Sequence, residues 1–558
     1  MSQRNMVAII GQKSNTDIYS RLFAQVSNVI LLFIILIFVA PFLSLLSSLF
    51  YDSGTTLSHL FDTVLGGYLL NSISLLIGVS LLVLLMGVST AWLLSNYKFT
   101  GSSIFSWALY LPIAIPAYIS AFSYAGLLEY AGPIQSFIRD FWDLGKGEYF
   151  FPDVRSIGGA IFILSITFYP YVYILTRVAF ESAGGVVNVG KSMGFCNNEV
   201  FCKIAVNYAK PSIIMGLTLV CLEVLGDFGA VQFLAVDTFT TAIYRTWFSS
   251  NNYIAASNLS LMLLAIVIFL IVIEKKNRSK AKYYNNTSFT SKIVKTRLSG
   301  WKNMLAFNIC FLPVLLGFII PVSILLYNYI KNFDDMKTLE ISEVISNSIL
   351  VSSLAAILAV IISCFVSYKI FSIVGNKKAI KFISYVKIIN VGYAIPGTIV
   401  AVCVLMFYGW VDRGINEFID VGLIFSGTLF ALVIAYVFRF LALSSGALES
   451  GMHGITREID WSARIFGMKG FMIFRKIHYP IIKKYVLVAA MLVFVECMKE
   501  LPITYIIRPF NFNTLSIKTY ELASDEQLIE SSFPALIIIL ISLFPVYFTC
   551  KKIFSDKE

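Results

Sequence analysis

NVGKSMGFCNNEVFCKIAVN (188–207) and WSARIFGMKGFMIFRKIHYP (461–480) decide the reading of this chain. They open two copies of one longer segment, 188–245 and 461–518, which align without a gap. Gly194 pairs with Gly467, Phe201 with Phe474, Lys203 with Lys476, Ile204 with Ile477 and Lys210 with Lys483. Further on, Glu223 pairs with Glu496, Asp227 with Glu500, Thr241 with Thr514 and Arg245 with Lys518. Each copy runs from a charged segment into an apolar one, as a loop feeds a membrane span. Duplication of this kind predicts two similar halves about a pseudo-two-fold axis, with a passage for substrate between them.

Composition supplies the solvent. Of 558 residues, 58% are hydrophobic and 13% charged, with mean hydropathy +0.80. Soluble chains carry about 25% charged residues, so this core belongs in a bilayer with lipid around it. The net charge of +11 would suit nucleic acid. The basic residues instead concentrate in alternate loops, which is a topology pattern, and nucleic acid is excluded as a partner. The eight cysteines form no CxxC pair, and His59, His453 and His478 lack ligand-spaced partners. No stable metal site and no disulfide framework is predicted, and His453 and His478 read as surface residues.

A span needs about 20 apolar residues. Candidates are 24–50, 69–96, 103–127, 157–180, 212–235 and 255–274, then 304–330, 344–371, 380–408, 422–445, 484–507 and 532–550. The expected fold is an all-α polytopic membrane protein of about 12 transmembrane helices in two parallel six-helix repeats. The first repeat is 1–274, a basic linker 275–302 follows, and the second repeat is 303–558. Asn71-Ser72-Ile73 and Asn347-Ser348-Ile349 open the second span of each half, and Ile115-Pro116 and Ile395-Pro396 lie in the third. The linker carries nine basic residues and no acid, whereas Asp140, Asp143, Glu148 and Asp153 mark an opposite-side loop. The positive-inside rule therefore predicts that the linker and both termini are cytoplasmic. Asn285-Asn286-Thr287-Ser288 reads as part of a flexible tether.

The recurring loops predict a short helix–turn–helix against the membrane face. Their glycine, isoleucine and proline spacing resembles the EAA loop of ABC-importer permeases. That resemblance implies ATPase-coupling roles for Asn188, Gly190, Gly194 and Ile204, and for Trp461, Ala463, Gly467, Ile477 and Pro480. The family's glutamate is Asn188 and Trp461 here, and its proline is Asn207 in the first copy and Pro480 in the second. SITFYPYVYILTRVAF (165–180), GDFGAVQFLAVDTFTTAIYRTWF (226–248) and MKELPITYIIRPFNFNTLSIKTYELASDE (498–526) resemble the fused, two-domain permeases of iron(III) ABC importers. The family implies a type I, MetI-like permease fold in the bacterial inner membrane. It also implies a cytoplasmic ABC ATPase dimer and a periplasmic iron(III)-binding protein as partners. No GxxxxGK[ST] phosphate loop is present, so ATP and Mg belong to the partner ATPase and this chain binds no cofactor and is no enzyme.

Glu223 and Asp227 are four residues apart on one helical face, and Glu496 and Glu500 repeat the arrangement. Ionisable groups in a span usually face the bundle interior or a wet cavity. Four carboxylates suit a hard cation that prefers oxygen ligands, which makes them a candidate substrate pathway. A structural polar network, with Lys499 and Arg508 as partners, is the competing reading. Phe168, Tyr169, Tyr171 and Tyr173 read either as pathway lining or as packing. Ferric iron is the expected cargo; thiamine, phosphonate or another small solute, or an ion-gradient-driven secondary transporter, are the alternatives.

Overall fold

The computed structural model describes residues 25–26, 28–145, 148–281, 295–333, 341–373, 390–420, 422–468 and 471–555. Much of the linker (282–294) and the start of the expected span 380–408 lie outside the described residues. Among the described residues, nine helices are long and apolar enough to cross a bilayer. A tenth is counted if Ser102–Ala114 and Ala117–Trp142 form one span, bent by 92°. The bend falls at Ile115-Pro116, where proline supplies no N–H to continue the helix. Helix Tyr479–Lys499 carries Lys483, Lys484, Glu496 and Lys499, and helix Ser532–Tyr547 is shorter. The chain is all-α and polytopic. The two strands described, β1 (Tyr97–Lys98) and β2 (Thr296–Arg297), have two residues each and pair in parallel.

Within lipid, helices associate by close packing and hydrogen bonds rather than by hydrophobic burial. The first half shows the steric solution. A Cβ on Gly87 would stand 2.9 Å from Val172 Cβ, and one on Gly216 would stand 2.9 Å from Val172 Cα. Two glycines thus let helices Leu65–Asn96 and Val206–Gly226 close on helix Ile157–Ser182 from both sides. The corresponding place in the second half uses hydroxyls. Ser363 and Ser444 are hydrogen-bonded at 2.5 Å and fully buried, and Ala489, the repeat partner of Gly216, is buried as well.

The halves interlock at their edges. Helix Asn28–Phe50 leaves its own half and packs on the other, with Phe38 and Phe42 against Phe438 and Ser44 Oγ donating to Cys403 O. Helix Trp301–Lys331 does the converse: Tyr124 Oη donates to Leu316 O, and Gly317 lies tight against Ile166 O and Pro112. The two largest hydrophobic cores therefore each contain residues from both halves.

The structure alters two sequence expectations. Spans 212–235 and 484–507 are broken: the helices stop at Gly226 and Lys499, and short helices Gly229–Phe233 and Pro502–Ile507 follow. The ungapped register also fails beyond these breaks. Thr238 and Thr514, not Thr241 and Thr514, cap equivalent helices, and Asn71 and Asn347 donate to the carbonyls just before them, at Asp237 and Asn513. The second copy thus has three more residues in its outgoing loop. The tether at 285–288 lies outside the described residues, while the described stretch after it is held against the first half. Lys295 donates to Leu94 O, Leu298 N–H to Lys98 O, and Asn303 bonds Thr100.

Candidate functional site

Both broken helices end in a carboxylate that satisfies the break. Asp227 leaves helical geometry (φ −68, ψ 132) and its Oδ1 accepts from Ala230 N–H at 3.0 Å and Val231 N–H at 3.1 Å. Glu500 (φ −69, ψ 120) accepts from Ile503 N–H at 3.2 Å through Oε1. The freed carbonyls are also covered. Thr240 donates to Asp227 O, while Thr504 and Ser516 donate to Glu500 O. Non-helical backbone at membrane depth persists where it is satisfied this way or lines a cavity. Here it does both.

The breaks open on a cavity of about 110 Å³ lined by Glu223, Asp227, Glu496 and Glu500 together. The four sequence-selected carboxylates are therefore assembled in one place. Glu223 and Glu496 stand one turn before the breaks. Lys499 Nζ lies 2.8 Å from Glu496 Oε1, and Tyr393 Oη donates to Glu223 Oε1 at 3.3 Å. Arg439 Nη1 lies 3.0 Å from Glu500 Oε1, with the two side chains 12% and 6% exposed. Among the described residues, no group of three or more His, Cys, Asp or Glu side chains is close enough to hold a metal ion. The cavity is a polar lining, not a preformed chelate.

Sequence reasoning missed Arg439, Tyr393 and Gly397. Arg439 is the lone basic residue in span 422–445, a signal that marks a functional position by itself. Of the aromatic run, Phe168 and Tyr171 line the cavity, while Tyr169 and Tyr173 are fully buried in the core. Arg508 pairs with Glu521 at 2.8 Å and not with the cavity carboxylates; Arg245 pairs with Asp237 at 2.6 Å.

The recurring loops form the expected helix–turn–helix. Helix Gly184–Ser192 ends at Gly194 (φ 87), with Phe195 N–H donating back to Gly190 O at 3.2 Å. Helix Arg457–Ile465 ends at Gly467 (φ 79), with Met468 N–H donating to Ala463 O at 3.0 Å. These are matching left-handed C-terminal stops, the conformation that selects glycine. Gly190 lets its helix press on Ile204, whose Cδ1 would stand 2.5 Å from an added Cβ; Ala463 is buried in the equivalent place. Ile204 and Ile477 are half-buried, Asn188 is half-buried, and Trp461 and Pro480 are exposed. Each loop then enters its long helix through a π-turn, Val200–Ala205 and Phe474–His478. At the start of the first, Lys203 donates to Glu199 at 2.9 Å, and the Cys196 N–H donates to the same carboxylate at 3.2 Å.

His453 is exposed as expected, but His478 is not a surface residue. The π-turn rotates it inward, where it is fully buried against Phe371 and Tyr368 with Nε2 3.5 Å from Asp460 Oδ1.

No family model matches the chain. The Fe(3+)-transport system permease protein FbpB 2 of Haemophilus influenzae is 27% identical over 89% of this chain and 92% of its own length. The sulfate transport system permease protein CysT of Escherichia coli is 27% identical over 27% of this chain and 51% of its own length. The molybdenum transport system permease protein ModB of Haemophilus influenzae is 24% identical over 28% of this chain and 67% of its own length. With its apolar helices, paired loops and a length close to that of the Fe(3+)-transport relative, this chain is similar to permease subunits of ABC transporters, which are transporters rather than enzymes.

Proposed function

We propose that this chain is the fused permease of an ATP-driven importer that passes ferric iron between its two halves toward the cytoplasm. The observation that carries the reading is the convergence of Glu223, Asp227, Glu496 and Glu500 on one cavity at symmetric helix breaks. Carboxylate oxygens suit a hard trivalent cation, and their failure to form a tight cluster suits an ion that must leave again. The permease named for Fe(3+) is also the relative matched over most of both chains. A separate ATPase dimer docks at the loops around Gly194 and Gly467, and an iron(III)-binding protein delivers cargo at the opposite, periplasmic face. Both termini are cytoplasmic in this arrangement, and 1–274 and 303–558 act as the two moving repeats, biased by ATP and loaded binding protein.

Uptake of radiolabelled ferric ion into iron-starved cells, with the gene deleted or restored, tests the cargo. Uptake that needs the gene, and is lost at normal membrane level in Asp227→Asn with Glu500→Gln, is the expected result. Uptake indifferent to the gene sinks iron. A double Gly194→Trp, Gly467→Trp chain that reaches the membrane is expected to lose coupled uptake; normal uptake would remove the docking role. A second reading, an oxyanion cargo, is favoured by Arg439 and Lys499 in the same cavity and by the sulfate and molybdenum relatives. Labelled sulfate and molybdate in the same assay separate the two.

A further inference from the structure

The anions of the cavity are duplicated, but its cations are not. Thr167 stands as far along helix Ile157–Ser182 as Arg439 does along helix Leu429–His453, and both line the cavity. Gly226 likewise occupies the place of Lys499. A backbone adjustment accompanies the arginine. Pro116 is followed by Ala117, whereas Pro396 is followed by Gly397. A Cβ on Gly397 would collide with the Arg439 guanidinium and stand 2.6 Å from Glu500 Oε1. Glycine at 397 is what admits the pair.

The pair itself is incompletely bonded. A guanidinium offers five donors in a fixed fork, and Arg439 is matched to Glu500 through a single contact. Its Nε is buried without a hydrogen-bond partner. Glu223 faces the same cavity and accepts only a long bond, at 3.3 Å, among those found for its carboxylate. Arg439 therefore has one carboxylate it holds loosely and a second within the same small space.

We propose that Arg439 is a tethered counter-cation that neutralises Glu500 while the cavity is empty and is displaced from it by a cationic cargo. This rests on the cavity being the passage for a cation. Removing one partner of a buried ion pair leaves an uncompensated charge. A bare Glu500 would hold whatever cation arrived. With Arg439 in place, entry is an exchange, won by an ion whose charge attracts a carboxylate more strongly than a guanidinium does. Coulomb attraction rises with charge and falls with separation, so a small trivalent ion is favoured over a divalent one. The displaced guanidinium has Glu223 as its alternative acceptor, and no covalent bond changes.

The test is ferric ion uptake by cells carrying the whole transporter, at matched membrane levels, with and without excess Mn2+. Any effect of Mn2+ on the binding protein is common to all variants, so differences report on this chain. Wild-type uptake is expected to resist Mn2+, and Arg439→Gln to become about tenfold more sensitive. Arg439→Lys keeps the charge without the fork and is expected to fall between them, which serves if the glutamine variant fails to fold. Arg439→Gln with Glu500→Gln is expected to lose ferric uptake. Restored uptake in that double variant would make the pair a structural salt bridge and overturn the proposal, as would wild-type Mn2+ resistance in both Arg439 single variants. In either case the passage reading stands. A wild-type chain that takes up no ferric ion overturns the passage reading and this proposal together.

Discussion

Set side by side, the two halves keep the same carboxylates and differ in nearly everything that answers them. Glu223 and Asp227 match Glu496 and Glu500 in position and in helix-break geometry. Around them the first half presents Ile113, Thr167 and Gly226, and the second presents Tyr393, Arg439 and Lys499. The helix contacts diverge in the same manner. Gly87 and Gly216 close on Val172 by size alone, whereas Ser363 and Ser444 close by a hydrogen bond. What shapes the breaks is common to both halves, and the positive charge stands in one half. The cavity is thus symmetric in backbone and asymmetric in field.

The sharpest way to break this comparison is to neutralise the two break carboxylates separately. Glu500→Gln takes from Arg439 the one carboxylate it bonds and leaves it to turn to Glu223, a loss of up to about 3 kcal/mol. Asp227→Asn keeps an acceptor for the Ala230 and Val231 amides and is expected to cost about 1 kcal/mol. Thermal unfolding of the purified chain in detergent compares them, and equal losses would mean that the second-half cation is not held by Glu500.

Next in size is the residue after each proline. Gly397→Ala drives a methyl into the Arg439–Glu500 pair and should cost about 1–3 kcal/mol. Ala117→Gly meets no such pair and should cost about 0.5–1 kcal/mol. The same melts read both. A harmless Gly397→Ala would show that the pair has room to move.

The two recurring loops should respond alike. Gly194→Ala and Gly467→Ala each put a side chain on a left-handed residue, with open space around it, at about 1 kcal/mol of local strain. Transport-coupled ATP hydrolysis then asks a separate question: unequal loss from equal strain would reveal one dominant docking loop. The smallest effect is expected from Ser444→Ala, about 0.6 kcal/mol, in line with hydrogen bonds between helices in lipid. Gly216→Val at the matching first-half contact should cost several times more, and a reversal of that order would refute the size-against-hydroxyl contrast.

Sequence alone determined the class of fold, the pairing of the loops and the four carboxylates. Those readings rest on local rules: apolar length, the glycine at a helix stop, the expense of charge in a span. Span continuity was misjudged at Gly226 and Lys499 because hydropathy records solvent, not backbone satisfaction. The breaks depend on hydroxyls such as Thr240 and Ser516, 13 and 16 residues away in sequence. His478 was misplaced because a π-turn shifts the face a residue presents.

What only the tertiary structure decided is who meets whom across the halves. The exchange of the edge helices, the pairing of Arg439 with Glu500 and the need for glycine at 397 are contacts between segments tens to hundreds of residues apart. No periodicity encodes them, because each is a matter of the volume and charge left over when two similar halves close on one another. The duplication led to the expectation of a space between the copies, and carboxylates of both line one cavity. Its unequal lining emerged only when both copies were folded against each other.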